Sequence, residues 1–202
     1  MSDRSSNRWR VATLAVVFAG VLAWPAAGRA QTVRGQARVV QATLTTLSGS
    51  STTVLADTGT LADLSDPRDA VSATGTVPSV LSGDVLHAVT MGWTDQVTSQ
   101  ASLADLSMSV GGTGISADFV MASALSLLAA PSTAGSTIGN LAINGVPVDV
   151  TGVPNQTIAI PGGRLVINEQ TVSPASTTVN ALHATVFGVA DVVIASATAG
   201  IQ

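Results

Sequence analysis

The chain has 202 residues and a formal net charge of −4, with 46% hydrophobic and only 10% charged residues, far below the roughly one quarter charged that ordinary soluble domains carry. All eight basic residues are Arg, and neither Lys nor Cys occurs, which excludes disulfides, thiolate metal sites, Cys nucleophiles and internal Lys to Asn cross-links. Abundant Ala, Val, Ser, Thr and Gly suit half-buried strands better than long helices, so the expected class is all-β.

Arg4, Arg8 and Arg10 precede an uncharged run, residues 11–24, that is short for a bilayer span and is ended by Pro25. This is the layout of a signal peptide over residues 1–30. Gly28 and Ala30 fit the minus-three and minus-one positions, placing cleavage before Gln31. Cutting after Gly28 is the alternative, and a retained anchor helix is the competing reading. Trp9 separates Arg8 from Arg10, so the paired arginines of the folded-protein route are missing and general secretion is expected. Residues 31–202 then read as one β-sandwich domain, in which four Arg face eleven acids for a net charge of −7. With no basic stripe to neutralise phosphates, nucleic acid and anionic membrane surfaces are excluded as partners.

Along the mature chain, Val33, Gly35, Ala37 and Val39 alternate with Arg34, Gln36 and Arg38, the period of a strand whose Arg side faces water. After Val39-Val40 the phase flips, and Val40, Ala42 and Leu44 become the apolar set. Such a slip turns the core face outward unless an extra residue is absorbed, which predicts a β-bulge near Val39-Val40; two separate strands are the alternative. Residues 48–53 read as a Ser/Thr/Gly loop, and residues 57–69, with Asp57, Asp63, Asp66 and Asp69 around Pro67, as an irregular acidic connection. Val85, His87, Val89 and Met91 alternate with Leu86, Ala88 and Thr90 in a strand ending near Gly92 and Trp93. Ala104, Leu106, Met108 and Val110 share a face before Gly111-Gly112-Thr113-Gly114, after which Ile115, Ala117 and Phe119 resume the alternation as the return strand of a hairpin. Residues 119–130 are strand or a short turn of helix. Asn144-Gly145 predicts a type I′ hairpin turn, and Pro147 places its strand at an edge. Pro161-Gly162-Gly163 predicts a further hairpin, and residues 179–186 and 189–197 two more strands broken around Gly188. Eight to ten short strands at this spacing indicate an antiparallel β-sandwich, jelly-roll or Greek-key like.

In the C-terminal third, Gly139-Asn140-Leu141-Ala142-Ile143-Asn144-Gly145, Pro154-Asn155-Gln156-Thr157, Val166-Ile167-Asn168-Glu169-Gln170 and Val179-Asn180-Ala181-Leu182-His183 occur in order, closed by Ala190-Asp191-Val192-Val193-Ile194-Ala195-Ser196-Ala197. This stretch resembles the choice-of-anchor P family of bacterial exported proteins, most specifically over residues 138–201. The resemblance implies a secreted or cell-surface domain, with the periplasm as an alternative location, and implies no residue-by-residue activity. No apolar span, basic cluster or Leu-Pro sorting motif follows Ile201 in the sequence, so the expected form is released or held by other proteins.

His183 is the most informative titratable residue. Ala181, His183 and Thr185 share a strand face, and Glu169 and Asp191 are expected to approach from neighbouring strands. A carboxylate-paired His can act as general base or pH-sensitive contact; the competing reading is a polar cluster that fixes register with Asn168, Gln170 and Asn180. No nucleophile-elbow Ser and no Gly-rich phosphate loop accompanies it, so no catalytic residue is assigned. With His87 and His183 alone, zinc would need two or more carboxylates. Asp63, Asp66 and Asp69 offer oxygen ligands without the Gly and Glu positions of a calcium loop. No metal or cofactor is therefore assigned, and Glu169, the single Glu, has no evident partner for glycoside cleavage. Trp93, Phe119 and Phe187, the aromatics after residue 30, are expected in the core, which leaves few rings to stack on sugars or to form the girdles of an outer-membrane barrel.

The expected protein is a non-catalytic structural or interaction module of the envelope or extracellular matrix, with envelope or matrix proteins as partners. Self-association through strand addition by residues 31–44 is the filament version of this idea. The competing classes are a small-ligand or glycan-binding domain and a hydrolase using His183.

Overall fold

The computed structural model describes residues 31–202, and the signal peptide read from residues 1–30 lies outside them. Among the described residues the chain is all β, without helix. The expected antiparallel β-sandwich is what it forms, and of residues 119–130 those up to Leu127 extend as strand while 128–130 turn.

The strands are β1 (Val33–Thr46), β2 (Gly49–Asp57), β3 (Arg68–Val77), β4 (Leu81–Gly92), β5 (Gln96–Val110), β6 (Thr113–Leu127), β7 (Thr133–Gly139), β8 (Ala142–Ile143), β9 (Val146–Pro147), β10 (Gln156–Ile160), β11 (Gly163–Val172), β12 (Thr177–Val186) and β13 (Ala190–Ile201). One sheet has the order β10-β11-β12-β13-β1-β2; the other runs β3-β4-β5-β6-β8-β9, with β7 also pairing β6. Each sheet is largely a meander. Because β1 lies beside β13, the set β11, β12, β13 and β1 has the order of a Greek key whose long connection is the whole second sheet. The strands do not alternate between sheets as in a jelly roll.

Turn chemistry sets the hairpins. Gly111 and Gly112 (φ 57° and 80°) join β5 to β6, Asn144 and Gly145 (φ 50° and 78°) form the I′ turn between β8 and β9, and Gly162 (φ 71°) follows Pro161 as a type II turn requires. Pro147 sits on β9, the last strand of its sheet, where its missing N–H removes no ladder bond.

The core is mainly aliphatic: Leu86, Leu103, Leu165, Ile167, Leu182 and Ile194 are among its largest fully buried side chains, each worth roughly 1.5–3 kcal/mol of burial. One polar seam bridges the sheets. Thr90 Oγ1 lies 2.7 Å from Ser99 Oγ, and Ser99 donates to the Thr198 carbonyl at 2.6 Å.

The phase change at Val39-Val40 is real, but no extra residue absorbs it. Both side chains are buried, while the pairing with β13 keeps one register, Arg38↔Ser196 before and Val40↔Ile194 after. The partner strand reverses at the same level: Ile194 and Ala195 both face inward, and so do Ala181 with Leu182 on β12 and Ile167 with Asn168 on β11. Along this line Ala56 (φ 46°), Ala195 (φ 52°) and Asn168 (φ 52°) take the left-handed conformation on alternate strands. The predicted bulge is thus a crease running across the sheet from β11 to β2, in which neighbours invert together and register survives.

The second sheet is creased with the opposite count. Ala73-Thr74, Asp84-Val85 and Asp118-Phe119 are consecutive outward pairs, and Ala104-Asp105 is a partly covered one. Val85 and Asp105 on adjacent strands are both left-handed, so the alternation fails there, and the β4–β5 pairing shifts register between Ser82 and His87. The crease also corrects the reading of β6: Phe119 does not continue the inward set of Ile115 and Ala117 but turns outward, 37% exposed.

Three other expectations change. Residues 48–53 are mostly strand β2 rather than loop, because cross-strand hydroxyl pairs, Thr43 with Thr52 at 2.9 Å and Thr45 with Ser50 at 3.2 Å, hold them to β1. Thirteen strands replace eight to ten, since β2 and β3 lack clear alternation and β8 and β9 have two residues each. Residues 31–44 are not free for strand addition, because β1 is paired along both edges, to β13 and β2.

Candidate functional site

The crease builds a furrow on the outer face of the six-stranded sheet. Two inward residues in succession spread the flanking outward rows apart. One row is Glu169, Asn180, Ser196, Arg38 and Asp57; the other is Val166, His183, Val193, Gln41 and Val54. Side chains reach across the gap at two places. Glu169 meets His183 at one end, and Arg38 donates to Gln41 at the other. Between them lies a hollow of about 190 Å³ lined by Arg38, Gln41, Asn180, Val193 and Ser196.

At the His183 end the expected approach of Glu169 and Asp191 is realised. Nδ1 lies 2.8 Å from Glu169 Oε2, and Nε2 lies 3.0 Å from Asp191 Oδ2. Asn180 Nδ2 donates to the same Glu169 oxygen at 2.7 Å, and Thr185 Oγ1 donates to Asp191 Oδ2 at 3.3 Å. Partial burial works to lower the His183 pKa. The hydrogen bond to Asp191, the charges of Glu169 and Asp191 and the hydrogen bond to Glu169 outweigh it, so the pKa is raised above the ordinary histidine value. The group therefore favours an imidazolium whose two N–H bonds both end on carboxylates, leaving no ring lone pair directed at solvent.

At the other end Arg38 grips Asp57, with Nε and Nη2 each 2.9 Å from Oδ2. Burial would raise the Asp57 pKa, but the Gln36 amide, the Gly59 N–H and Arg38 together hold it below the ordinary carboxylate value. Sequence reasoning missed this pair. Asp57 read as the first acid of a loop, and the strand that carries it to Arg38 had no alternation to reveal it.

The remaining candidates do not converge. Asp66 accepts the Ala62 N–H at 2.8 Å and Arg68 Nε at 2.7 Å, which together lower its pKa; Asp63 accepts the Ser65 N–H at 2.8 Å, and Asp69 lies on β3. Asp63 and Asp66 brace the 58–67 connection through these bonds. Among the described residues no three His or acidic side chains are placed to share a metal ion. Asn168 and Gln170, expected near His183, instead bond each other and the Gly152 and Ala134 carbonyls. His87 is on the outer face of the other sheet.

The aromatics overturn an expectation. Trp93 is 40% exposed and Phe187 69%, so with Phe119 all three stand at the surface and none fills the core.

Comparisons with family models, curated proteins and solved structures return no match for this chain.

Proposed function

We propose that this chain is an exported module of the bacterial cell envelope or extracellular matrix that acts through its surface and not by catalysis, in keeping with its resemblance to the choice-of-anchor P family. The observation that carries the reading is the placement of Trp93, Phe119 and Phe187 at the surface of a domain whose buried core contains no aromatic side chain. Large rings left exposed are the side chains that dominate binding interfaces. Both nitrogens of His183 are engaged by carboxylates, which favours the register-fixing role over that of a general base, since a base must direct a lone pair at its substrate.

The same exposed rings favour one second reading, a glycan-binding domain that stacks sugars on Trp93 or Phe187. Fractionation of producing cells separates these readings. The interaction module is expected in the envelope or medium, beginning at Gln31, and the double variant Trp93→Ala, Phe187→Ala is expected to lose envelope retention at unchanged melting temperature. Intact Met1 on a cytoplasmic product overturns export, and wild-type retention by the double variant overturns the aromatic contact. A rise in melting temperature with soluble oligosaccharide, lost in that variant, selects the glycan reading.

A further inference from the structure

We propose that the free edge of β2 is a self-pairing surface, on which β2 of a second copy of this chain adds antiparallel about a twofold axis and continues the six-stranded sheet across the dimer. This deepens the interaction-module reading and rests on it, supplying one partner for one surface.

β2 is the last strand of its sheet and pairs β1 alone. Among the described residues, none of the backbone bonds made outside the sheet ladders involves residues 50–55. Edges of this kind are templates for another chain, and folded proteins blunt them with charge, proline, bulges or brevity. Three other edges show such devices, and β7, which pairs β6 alone and is uncharged, has its Ala134 carbonyl already accepting from Gln170 Nε2 at 3.0 Å. β9 has two residues and Pro147, β10 has five residues between Pro154 and Pro161, and β3 opens with Arg68 and Asp69 and is broken by the crease at Ala73-Thr74. β2 shows none of them over Ser50-Ser51-Thr52-Thr53-Val54-Leu55, which has neither charge nor proline. Ser50, Ser51 and Thr52 are exposed in succession, on both faces of the ribbon, so a strand can approach without meeting the second sheet.

The chemistry of the edge suits its own copy. Around a twofold at Thr52, Thr52 faces Thr52, Ser51 faces Thr53, and Ser50 faces Val54. The hydroxyl pairing already made on the β1 side, Thr43 with Thr52 at 2.9 Å, would be continued one strand further. Net charge opposes association of two acidic copies, yet the nearest acid on this edge, Asp57, is neutralised by Arg38. Five paired residues, Ser50 to Val54, span about 17 Å, a small interface that fits a Kd on the order of 10–100 µM.

Sedimentation of the mature chain over a concentration series tests this. The wild type is expected to dimerise reversibly, while Thr52→Lys and Thr52→Glu, each folded with an unchanged far-UV spectrum, stay monomeric because like charges face across the axis. Mixing the two variants is expected to restore the dimer. Thr157→Lys on the β10 edge is expected to leave dimerisation intact. A wild type monomeric at every concentration, a dimer indifferent to Thr52→Lys, or one abolished by Thr157→Lys overturns the proposal. Envelope retention dependent on Trp93 and Phe187 is read separately, so that function can survive the loss of this partner.

Discussion

Replacing Asn168 separates the backbone cost of the crease from its side-chain bonds. Asn168 is 3% exposed and left-handed at φ 52°. Its Nδ2 donates to the Gly152 carbonyl at 3.0 Å, and its Oδ1 accepts from Gln170 Nε2 at 3.1 Å. Two net hydrogen bonds at about 1 kcal/mol each, with about 1–2 kcal/mol for holding an L-alanine left-handed, give a loss of about 3–4 kcal/mol for Asn168→Ala. In a chain of this size that lowers the melting temperature by about 6–16 °C. Asn168→Gly loses the same bonds but not the left-handed strain, and its greater unfolded freedom costs about 0.5–1 kcal/mol. The glycine variant should therefore melt about 1–4 °C above the alanine variant. Far-UV thermal melts of the three proteins read this directly. Coincident melts, or a more stable alanine variant, would show that the left-handed residue is not what the crease costs.

The His183 pair makes stability depend on pH. Its folded pKa is raised above the ordinary 6.5, so its contribution is full below that value and is lost as pH climbs through the raised one. The melting gap between wild type and His183→Gln should accordingly be widest near about pH 5.5 and shrink on the alkaline side, and a gap independent of pH counts against the imidazolium. At Gly35 an added methyl would lie 2.5 Å from both Leu61 Cδ1 and Thr90 Oγ1. Gly35→Ala should thus cost about 2 kcal/mol in urea titration at unchanged m-value, by disturbing the hydroxyl seam between the sheets. Phe187→Ser should leave the unfolding free energy from urea titration within about 0.5 kcal/mol of wild type, since a ring this exposed contributes little to folding.

Legibility followed locality. The turns at Gly111-Gly112, Asn144-Gly145 and Pro161-Gly162 could be read because a single positive φ or a missing N–H constrains residue choice on the spot. Strand β2 could not, because both its faces meet solvent near the tip, and alternation disappears when neither face is buried. The Val39-Val40 doublet announced a phase change, yet its resolution lies in other strands. Doublets at Ala181-Leu182 and Ile194-Ala195 are equally visible, and they acquire meaning only once β12, β13 and β1 are known to be neighbours. The meeting of His183 with Glu169 and Asp191 was foreseeable because all three fall on outward positions near one another along the C-terminal meander. The aromatics misled because ring size suggests burial, whereas Ala, Val, Leu and Ile fill most of the core and the three rings stand at turns or at the crease.

A fold line shared by neighbouring strands also constrains how such a chain can change over generations. One residue gained or lost in a single strand would set its inward side chains against a neighbour still reversing at the old level, so drift in length is confined to hairpin tips and connections. Moving the line itself requires matched changes in several strands at once. Its position should outlast the identity of nearly every side chain that lies along it.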